Sequence, residues 1–142
     1  MTGQLEQHQA AIEERVRGGE GLAGRVFDAA RLDSKGGLVR DNYVIVTVAR
    51  GSLGDERLTA PQRADSDADY YIDIRTVATT AAAARMLLDR TEQQLLNGPL
   101  AVQGRACTSV VCGVTRPIAT DMTVTPPLFY VDADYSFTSR RT

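Results

Sequence analysis

In two segments of the sequence, every second residue is of a type that can face a core. This alternation constrains the fold more than any other feature. The inward-facing sets are Tyr70, Ile72, Ile74 and Thr76 in residues 70–79, and Phe129, Val131, Ala133, Tyr135 and Phe137 in residues 128–138. Successive side chains of a β-strand point to opposite faces, so a period of two predicts half-buried strands. The chain is therefore expected to build a sheet with one covered face.

Two segments with helical spacing are predicted to cover that face. Residues 81–96 follow a capping threonine, Thr79 or Thr80, and place on one side Ala84, Leu87, Leu88, Thr91 and Leu95. Asn97-Gly98-Pro99 ends this helix, because glycine suits a left-handed cap and proline cannot continue the helix. Residues 3–17 predict an N-terminal helix that stops at Gly18-Gly19, with a narrow stripe of Leu5, His8 or Gln9, Ile12 and Val16.

The remaining elements complete a single α+β domain. Residues 42–50 are a nearly continuous run of β-formers, which predicts a strand covered on both faces, or on one face by a neighbouring subunit. Residues 25–28 predict a short extended piece, residues 100–114 one bent strand or two strands, and residues 116–127 a connection. This order predicts one domain over residues 1–142, with a mostly antiparallel β-sheet, an N-terminal helix and one longer central helix packed on it.

A long polar segment, residues 51–69, separates two predicted strands. Loops of this length are usually functional or disordered, and we interpret this one as a contact loop that orders on assembly, with a plain solvated loop as the alternative. The residues expected to make the contacts are Asp55, Glu56, Arg57, Arg63, Asp65 and Asp67. Aspartates at positions 65, 67 and 69 resemble half of a calcium loop, but the required glycine and closing glutamate are missing.

The residues that catalysis requires are scarce. The one histidine, His8, is expected at the surface or boundary, so no Ser-His-Asp or Cys-His arrangement can be assembled unless folding brings one to it. Cys107 and Cys112 lie on a predicted strand at an offset that puts them on opposite faces, which predicts two small buried side chains and no disulfide between them. No phosphate-loop or zinc spacing is present. We therefore expect no enzymatic activity, no cofactor and no metal.

Asp132 and Asp134 project from one face of the last predicted strand. Two carboxylates at this spacing could serve acid–base chemistry or bind a cation. The simpler interpretation is a solvent-facing strand edge whose charges discourage unwanted pairing.

Charge and hydropathy exclude two further classes of partner. The formal net charge is −2, which provides no basic field for nucleic acid in general. The polar N-terminus has no apolar signal segment, and no apolar run reaches the length of a membrane helix. We expect a protein that is made and kept in a cytoplasm, without a membrane partner.

The element order resembles a known family. An N-terminal helix precedes Tyr43-Val44-Ile45-Val46-Thr47-Val48. After a polar loop, the strand Tyr70-Tyr71-Ile72-Asp73-Ile74-Arg75-Thr76-Val77-Ala78 leads directly into a helix with a glycine stop. A β segment around Leu100-Ala101-Val102-Gln103-Gly104-Arg105 follows, and then Leu128-Phe129-Tyr130-Val131-Asp132-Ala133-Asp134-Tyr135-Ser136-Phe137. Over nearly the whole chain, this pattern resembles the tail terminator (tail-completion) proteins of long-tailed, non-contractile bacteriophages.

The resemblance implies a structural protein of the virion tail, at its neck end, assembled in the host cytoplasm. Such proteins form a hexameric ring that caps the tail tube, stops its polymerisation and joins the head connector, and they have no enzymatic activity and no cofactor. The implied partners are further copies of the chain, the major tail tube protein and the head-completion or connector protein. DNA passes through the central channel without specific binding.

The residues agree with this implication at two places. A channel that lets DNA slide is not served by strong cationic contacts, so Asp132 and Asp134 are candidates to line it. The loop 51–69 is the candidate contact with the tube or the neighbouring subunit. Two alternatives stay open: another neck or head-closure connector protein, and a small-ligand-binding α+β module, which would be a monomer or dimer with an apolar pocket.

Overall fold

A computed structural model describes residues 3–53 and 63–142. Its helices are α1 (Gln4–Arg17) and α2 (Ala81–Leu95). Its strands are β1 (Val26–Phe27), β2 (Tyr43–Leu53), β3 (Ala68–Ala78), β4 (Arg105–Cys107), β5 (Val111–Thr115), β6 (Ala119–Asp121) and β7 (Leu128–Arg141). In the described part of the chain, no helix has the length and apolarity needed to cross a membrane.

The strands form one seven-stranded sheet. Its order is β1-β2-β3-β7-β4, and β5 and β6 also pair with β7 on the side away from β3. The pair β1–β2 is parallel, and every other pair is antiparallel. The predicted α+β class with a mostly antiparallel sheet is therefore confirmed. The long β3–β7 ladder, which runs from the pair Ala68–Ser139 to the pair Ala78–Phe129, forms its centre.

Both helices pack on one face of the sheet, as the alternating strands predict. Their buried residues include Ile12 and Val16 of α1 and Leu87, Leu88 and Leu95 of α2. The sheet side of this core is formed by Val44, Val46, Ile72, Ile74, Val131, Ala133, Tyr135 and Phe137. Helix α2 begins at Thr80, whose hydroxyl accepts a hydrogen bond from the Ala83 N–H at 3.1 Å. It ends at Leu95 before Gly98, whose φ of 86° is left-handed, so the predicted stop is present.

The residues that the structure describes cover the opposite face of the sheet, which we call the open face, at one end only. Tyr43, Val77 and Leu128 are buried there in a small second cluster. At the other end Thr47 and Tyr71 are exposed. The first residues of β2 are covered on both faces, as expected for residues 42–50. Beyond Val46 no described element covers the open face, and the alternative expectation, that a neighbouring subunit covers it, stays a prediction.

The structure also corrects several predicted boundaries. β2 continues to Leu53 and β3 starts at Ala68, so both strands extend into the predicted 51–69 loop. Residues 100–114 contain two strands, β4 and the start of β5, which confirms one of the two predicted alternatives. β6 lies within the predicted connection and was not expected. The polar and short sequences of these pieces carry little apolar periodicity, which is why the alternation did not reveal them.

Candidate assembly surfaces

Asp132 and Asp134 lie on the open face, in the interior of the sheet. β7 is paired with β3 on one side and with β4, β5 and β6 on the other, so the interpretation of these aspartates as an edge device is wrong. The Arg75 guanidinium donates two hydrogen bonds to the Asp132 carboxylate, at 2.7 and 2.9 Å. Asp134 Oδ2 accepts a hydrogen bond from Arg116 at 3.2 Å. The two aspartates are therefore held by arginines of β3 and of the segment after β5.

The open face is a nearly charge-balanced surface rather than an acidic one. Asp73 on β3 lies directly opposite Asp134. Burial, followed by the hydrogen bond and the charge of Asp134, raises the pKa of the Asp73 carboxyl. The Arg75 guanidinium also lies 4.5 Å from the centre of the Tyr130 ring. A depression of about 800 Å³ lies on this face, and its wall includes three carboxylates and two guanidinium groups: those of Asp73, Asp132, Asp134, Arg75 and Arg116.

The described part of the predicted contact loop is anchored to the last strand. The Arg63 N–H donates to Ser66 Oγ at 2.9 Å. The Asp65 carboxylate forms an ion pair with Arg141 at 3.5 Å, and Asp67 Oδ1 accepts from the Arg141 N–H at 2.9 Å. Asp55, Glu56 and Arg57 lie outside the described residues. The structure therefore brings three of the six predicted contact residues to one end of the β3–β7 ladder.

Arg105 is the main residue at this end that sequence reasoning missed. Its side chain is buried and donates to the backbone carbonyls of Asp65 and Ser66. It also donates to Ser139, to Oγ at 2.8 Å and to the carbonyl oxygen at 3.0 Å. One guanidinium thus joins β4, β7 and the base of the loop. A single arginine in a three-residue strand produces no periodic signal that would have identified it.

His8 is fully buried, so its predicted surface or boundary position is wrong. Its side chain lies in the apolar stripe of α1 and stacks on Tyr70 with 3.9 Å between ring centres. Nδ1 bonds to the Gln4 carbonyl at 2.6 Å, and Nε2 lies 2.9 Å from Ser139 Oγ. Because the Gln4 carbonyl needs a donor, the proton belongs on Nδ1, and the Ser139 hydroxyl donates to Nε2. Desolvation is the main cause that lowers the His8 pKa.

The His8–Ser139 contact has the distance of a nucleophile–base pair, but both residues have 0% exposure. A substrate could not reach the hydroxyl without displacing the helix α1. The pair therefore acts as a structural contact in this conformation. Among the described residues, no group of three or more histidine, cysteine, aspartate or glutamate side chains is arranged to hold a metal.

Cys107 and Cys112 lie on different strands, β4 and β5, and both thiols are free. Cys112 is exposed and Cys107 is partly buried, so the expectation of two buried residues on one strand is wrong. Between them the chain turns, and Val110 takes the buried position instead. Burial and the neighbouring Glu92 raise the pKa of the Cys112 thiol, which keeps it in the less reactive protonated form.

Comparison with known proteins identifies the fold but no family. No protein-family model matches the sequence, and no curated protein matches it. A chain from the solved structure "Virion of native gene transfer agent (GTA) particle" has a TM-score of 0.68, with 14% identity over 92% of each chain. A second solved structure, which has no descriptive name, has a TM-score of 0.59, with 12% identity over 96% of each chain. At these identities the likenesses establish a shared fold that spans nearly the whole chain.

Proposed function

We propose that this protein is a structural component of a phage-like virion that forms a ring on the end of the tail tube. The ring stops tube polymerisation and joins the tail to the head connector, at the neck end of a long, non-contractile tail. The observation that carries the proposal is the fold shared with a chain of the gene transfer agent virion over 92% of both chains. The sequence resemblance to tail terminators supports the capping role independently of that comparison.

The assembly state of the purified protein tests this proposal. Light scattering gives the mass of the protein alone and after addition of its tail tube protein. We expect a six-fold species, or a monomer that becomes six-fold on tube ends, together with an arrest of tube growth seen by electron microscopy. A protein that stays monomeric or dimeric and leaves tube growth unchanged would contradict the proposal.

A small-ligand-binding module is the second candidate, and one feature of the open face favours it. A depression of about 450 Å³ lies beside the second cluster, with Tyr43, Val77, Leu128 and Tyr130 in its wall. A ligand that binds only the folded state raises the unfolding temperature, and the rise grows with the logarithm of the ligand concentration once that exceeds Kd. A thermal-shift screen of small apolar molecules against the tube-free protein distinguishes this candidate from a ring that responds only to the tube.

Within the ring, we assign the open face around Asp132 and Asp134 to the channel. Its carboxylates are matched by arginines, so a DNA duplex would meet a surface without a strong attractive field. Replacing both aspartates with lysine should slow DNA passage. The matched control is Glu14→Lys with Glu20→Lys, which changes the net charge equally at exposed positions of α1 and the turn after it. Unchanged DNA ejection in the aspartate variant would refute this assignment.

We assign the contact with the tube or the neighbouring subunit to the loop that contains Asp55, Glu56, Arg57, Arg63, Asp65 and Asp67. Replacing residues 54–62 with a short glycine-serine linker keeps the carbonyls that Arg105 binds, at Asp65 and Ser66. The variant should fold, as judged by circular dichroism, and fail to cap tubes. A variant that caps as well as the parent would contradict a role for Asp55, Glu56 and Arg57, which lie in the replaced segment.

A further inference from the structure

The two edges of the sheet differ in which groups pair with the outer backbone of the edge strand. On the outer side of β2, the strand β1 covers only Val44 and Ile45. The Gln9 side chain then takes the place of a strand, since its amide donates to the Val46 carbonyl at 2.8 Å and accepts from the Val48 N–H at 3.0 Å. Beyond Val48, none of the described strands pairs with the outer side of β2. Within the described part of the chain, the backbone of residues 49–53 is therefore an uncovered edge.

The opposite edge is formed in part by β5, whose outer side is not covered by any strand in residues 3–53 or 63–142. β5 pairs with β7 on one side, and no described strand pairs with the other side. All of its residues are exposed, including Val111 at 57% and Val114 at 56%. It contains no charged residue and no proline, two of the usual means of protecting an edge from other chains, and its register against β7 shifts between Cys112 and Thr115. An exposed, uncharged edge is typical of a strand that pairs with another chain.

The topology makes these two edges compatible in direction. β3 is antiparallel to β2, β7 to β3, and β5 to β7, so β5 runs antiparallel to β2. A second copy, related by rotation about an axis along the strands, would place its β5 antiparallel to the free part of β2. Both copies would keep their helices on the same side. This is a head-to-tail contact between two different surfaces, the kind that closes into a ring.

The charges beside the two edges are complementary. Arg50 pairs with Tyr70 in the register, and the Tyr70 side chain is in the core, so Arg50 lies on the helix side of β2. Cys112 pairs with the buried Tyr135, which places it on the helix side of β5. There Glu92 of α2 influences the Cys112 thiol and accepts a hydrogen bond from the Tyr135 hydroxyl at 3.0 Å. When the edges meet, the Arg50 guanidinium and the Glu92 carboxylate both lie on the helix side of the joined sheet.

We propose that β5 of one copy pairs, antiparallel, with residues 49–53 of a second copy, and that this strand addition is the contact between neighbouring subunits. The inference rests on the proposed ring and specifies which two surfaces meet in it. It commits to a second copy of this chain because the two free edges match in length and direction. In addition, Arg50 on the β2 edge is opposite in charge to Glu92, which lies on α2 beside the β5 edge.

Disulfide trapping tests the pairing. Gly51 and Val111 lie on the open face of β2 and β5, since a Cβ at Gly51 would face the Tyr71 ring and Val111 pairs with Ser136. The antiparallel register that brings Arg50 opposite Cys112, both on the helix side, also brings Gly51 opposite Val111. The variant carries Gly51→Cys and Val111→Cys with Cys107→Ala and Cys112→Ala. Oxidation of the assembled protein should give a covalent ladder that extends beyond the dimer. The matched control carries Met86→Cys in place of Val111→Cys. Met86 lies on α2 and is 51% exposed, and this control should give no ladder.

The outcomes separate the edge contact from the ring itself. A ring that assembles without a Gly51→Cys, Val111→Cys ladder overturns the edge contact and leaves the proposed function standing. A covalent species that stops at two subunits with Val111→Cys alone would mean that β5 pairs with itself, which also overturns it. If the cysteine-free parent forms no multimer with or without tubes, both proposals fail.

A second variant tests the same contact without cross-linking. Val111→Lys with Val114→Lys adds two charges to the uncovered edge and removes no buried group. We expect circular dichroism unchanged and at least a tenfold higher protein concentration for half-assembly, roughly 1.4 kcal/mol per contact. The control is Met86→Lys with Leu96→Lys on α2, which should assemble normally. Equal assembly by the two variants would overturn the proposal.

Discussion

Ser139 joins the two buried polar side chains at one end of the core. Its hydroxyl accepts from Arg105 Nε and donates to His8 Nε2, so both partners depend on one oxygen atom. Ser139→Ala leaves a buried guanidinium and a buried imidazole each short of one bond. We expect the free energy of unfolding to fall by about 1–3 kcal/mol, the range for unsatisfied buried groups.

Urea unfolding of Ser139→Ala and of Ser136→Ala measures this effect. Ser136 lies on the same strand but on the open face, so it controls for the loss of a hydroxyl in β7. The control should change stability by less than about 0.5 kcal/mol. Equal losses in the two variants would show that the network contributes nothing.

His8 makes stability depend on pH in one direction. Its folded-state pKa is lowered below the unfolded value of 6.5, chiefly by desolvation. The unfolded chain therefore binds a proton before the folded chain does, and stability decreases as pH falls from above 6.5 towards the folded pKa. Raising the pH through the same window restores it.

The chain has one histidine, so its imidazole proton signals in NMR report the folded pKa without ambiguity. We expect a midpoint below 6.5 and a matching rise in the free energy of unfolding between pH 5 and 7. His8→Phe, which retains the ring stack on Tyr70, should flatten that rise. A midpoint above 6.5 would contradict the buried neutral imidazole.

The sequence could predict that His8 lies in the stripe of α1, but it could not predict which residues the imidazole contacts. Ser139 is 131 positions away along the chain, and Arg105 reaches Ser139 across 34 positions. Isolated polar residues at such separations produce no local period, so the network appears only when the strands are in register. The same holds for the pairing of Arg75 with Asp132, although both residues were visible in the alternating strands.

At the scale of elements, the helices and strands whose apolar pattern continues over the most residues were predicted closely. α2 ends one residue from its expected position, and β3 and β7 contain the predicted alternating segments. The elements that were missed are short or polar: β6 has three residues, and the ends of β2 and β3 next to the loop are partly polar. Their existence depends on pairing with a neighbour rather than on their own sequence.

Gln9 provides a test of how an edge is covered by a side chain. Gln9→Glu keeps an acceptor for the Val48 N–H but replaces the donor with an oxygen that faces the Val46 carbonyl. We expect a loss of about 1–3 kcal/mol at neutral pH, because a carbonyl loses its partner and meets a negative charge. The control is Gln93→Glu, an exposed position on α2.

Thermal and urea unfolding of the two glutamate variants give the comparison. The loss in Gln9→Glu should shrink below pH 4, where the carboxyl is protonated and can donate again. A loss in Gln9→Glu no larger than in Gln93→Glu would mean that this edge does not need the amide.

At the scale of the whole molecule, the predicted single domain requires one cooperative unit. β7 pairs with β3, β4, β5 and β6, and both the core under α1 and the core under α2 include its residues. We expect urea unfolding followed by helix circular dichroism and by tyrosine fluorescence to give one midpoint. Val131→Ala in β7 should lower the free energy of unfolding by roughly 2 kcal/mol. The midpoints of both signals should therefore shift together to a lower urea concentration.

Two separated midpoints, or a Val131→Ala effect on only one of the signals, would divide the chain into independent units. Thr120→Ala, at an exposed position of β6, serves as the control and should leave both midpoints in place.

β7 is translated after every strand with which it pairs. A ribosome adds about 5–20 residues per second, so the nascent β2–β3 hairpin waits several seconds with its β7-facing edge unpaired. During that time, neighbouring nascent chains on one messenger RNA carry identical open hairpins close together. The timing of synthesis, and the chaperones that shield those hairpins, should therefore set how much protein reaches the native state.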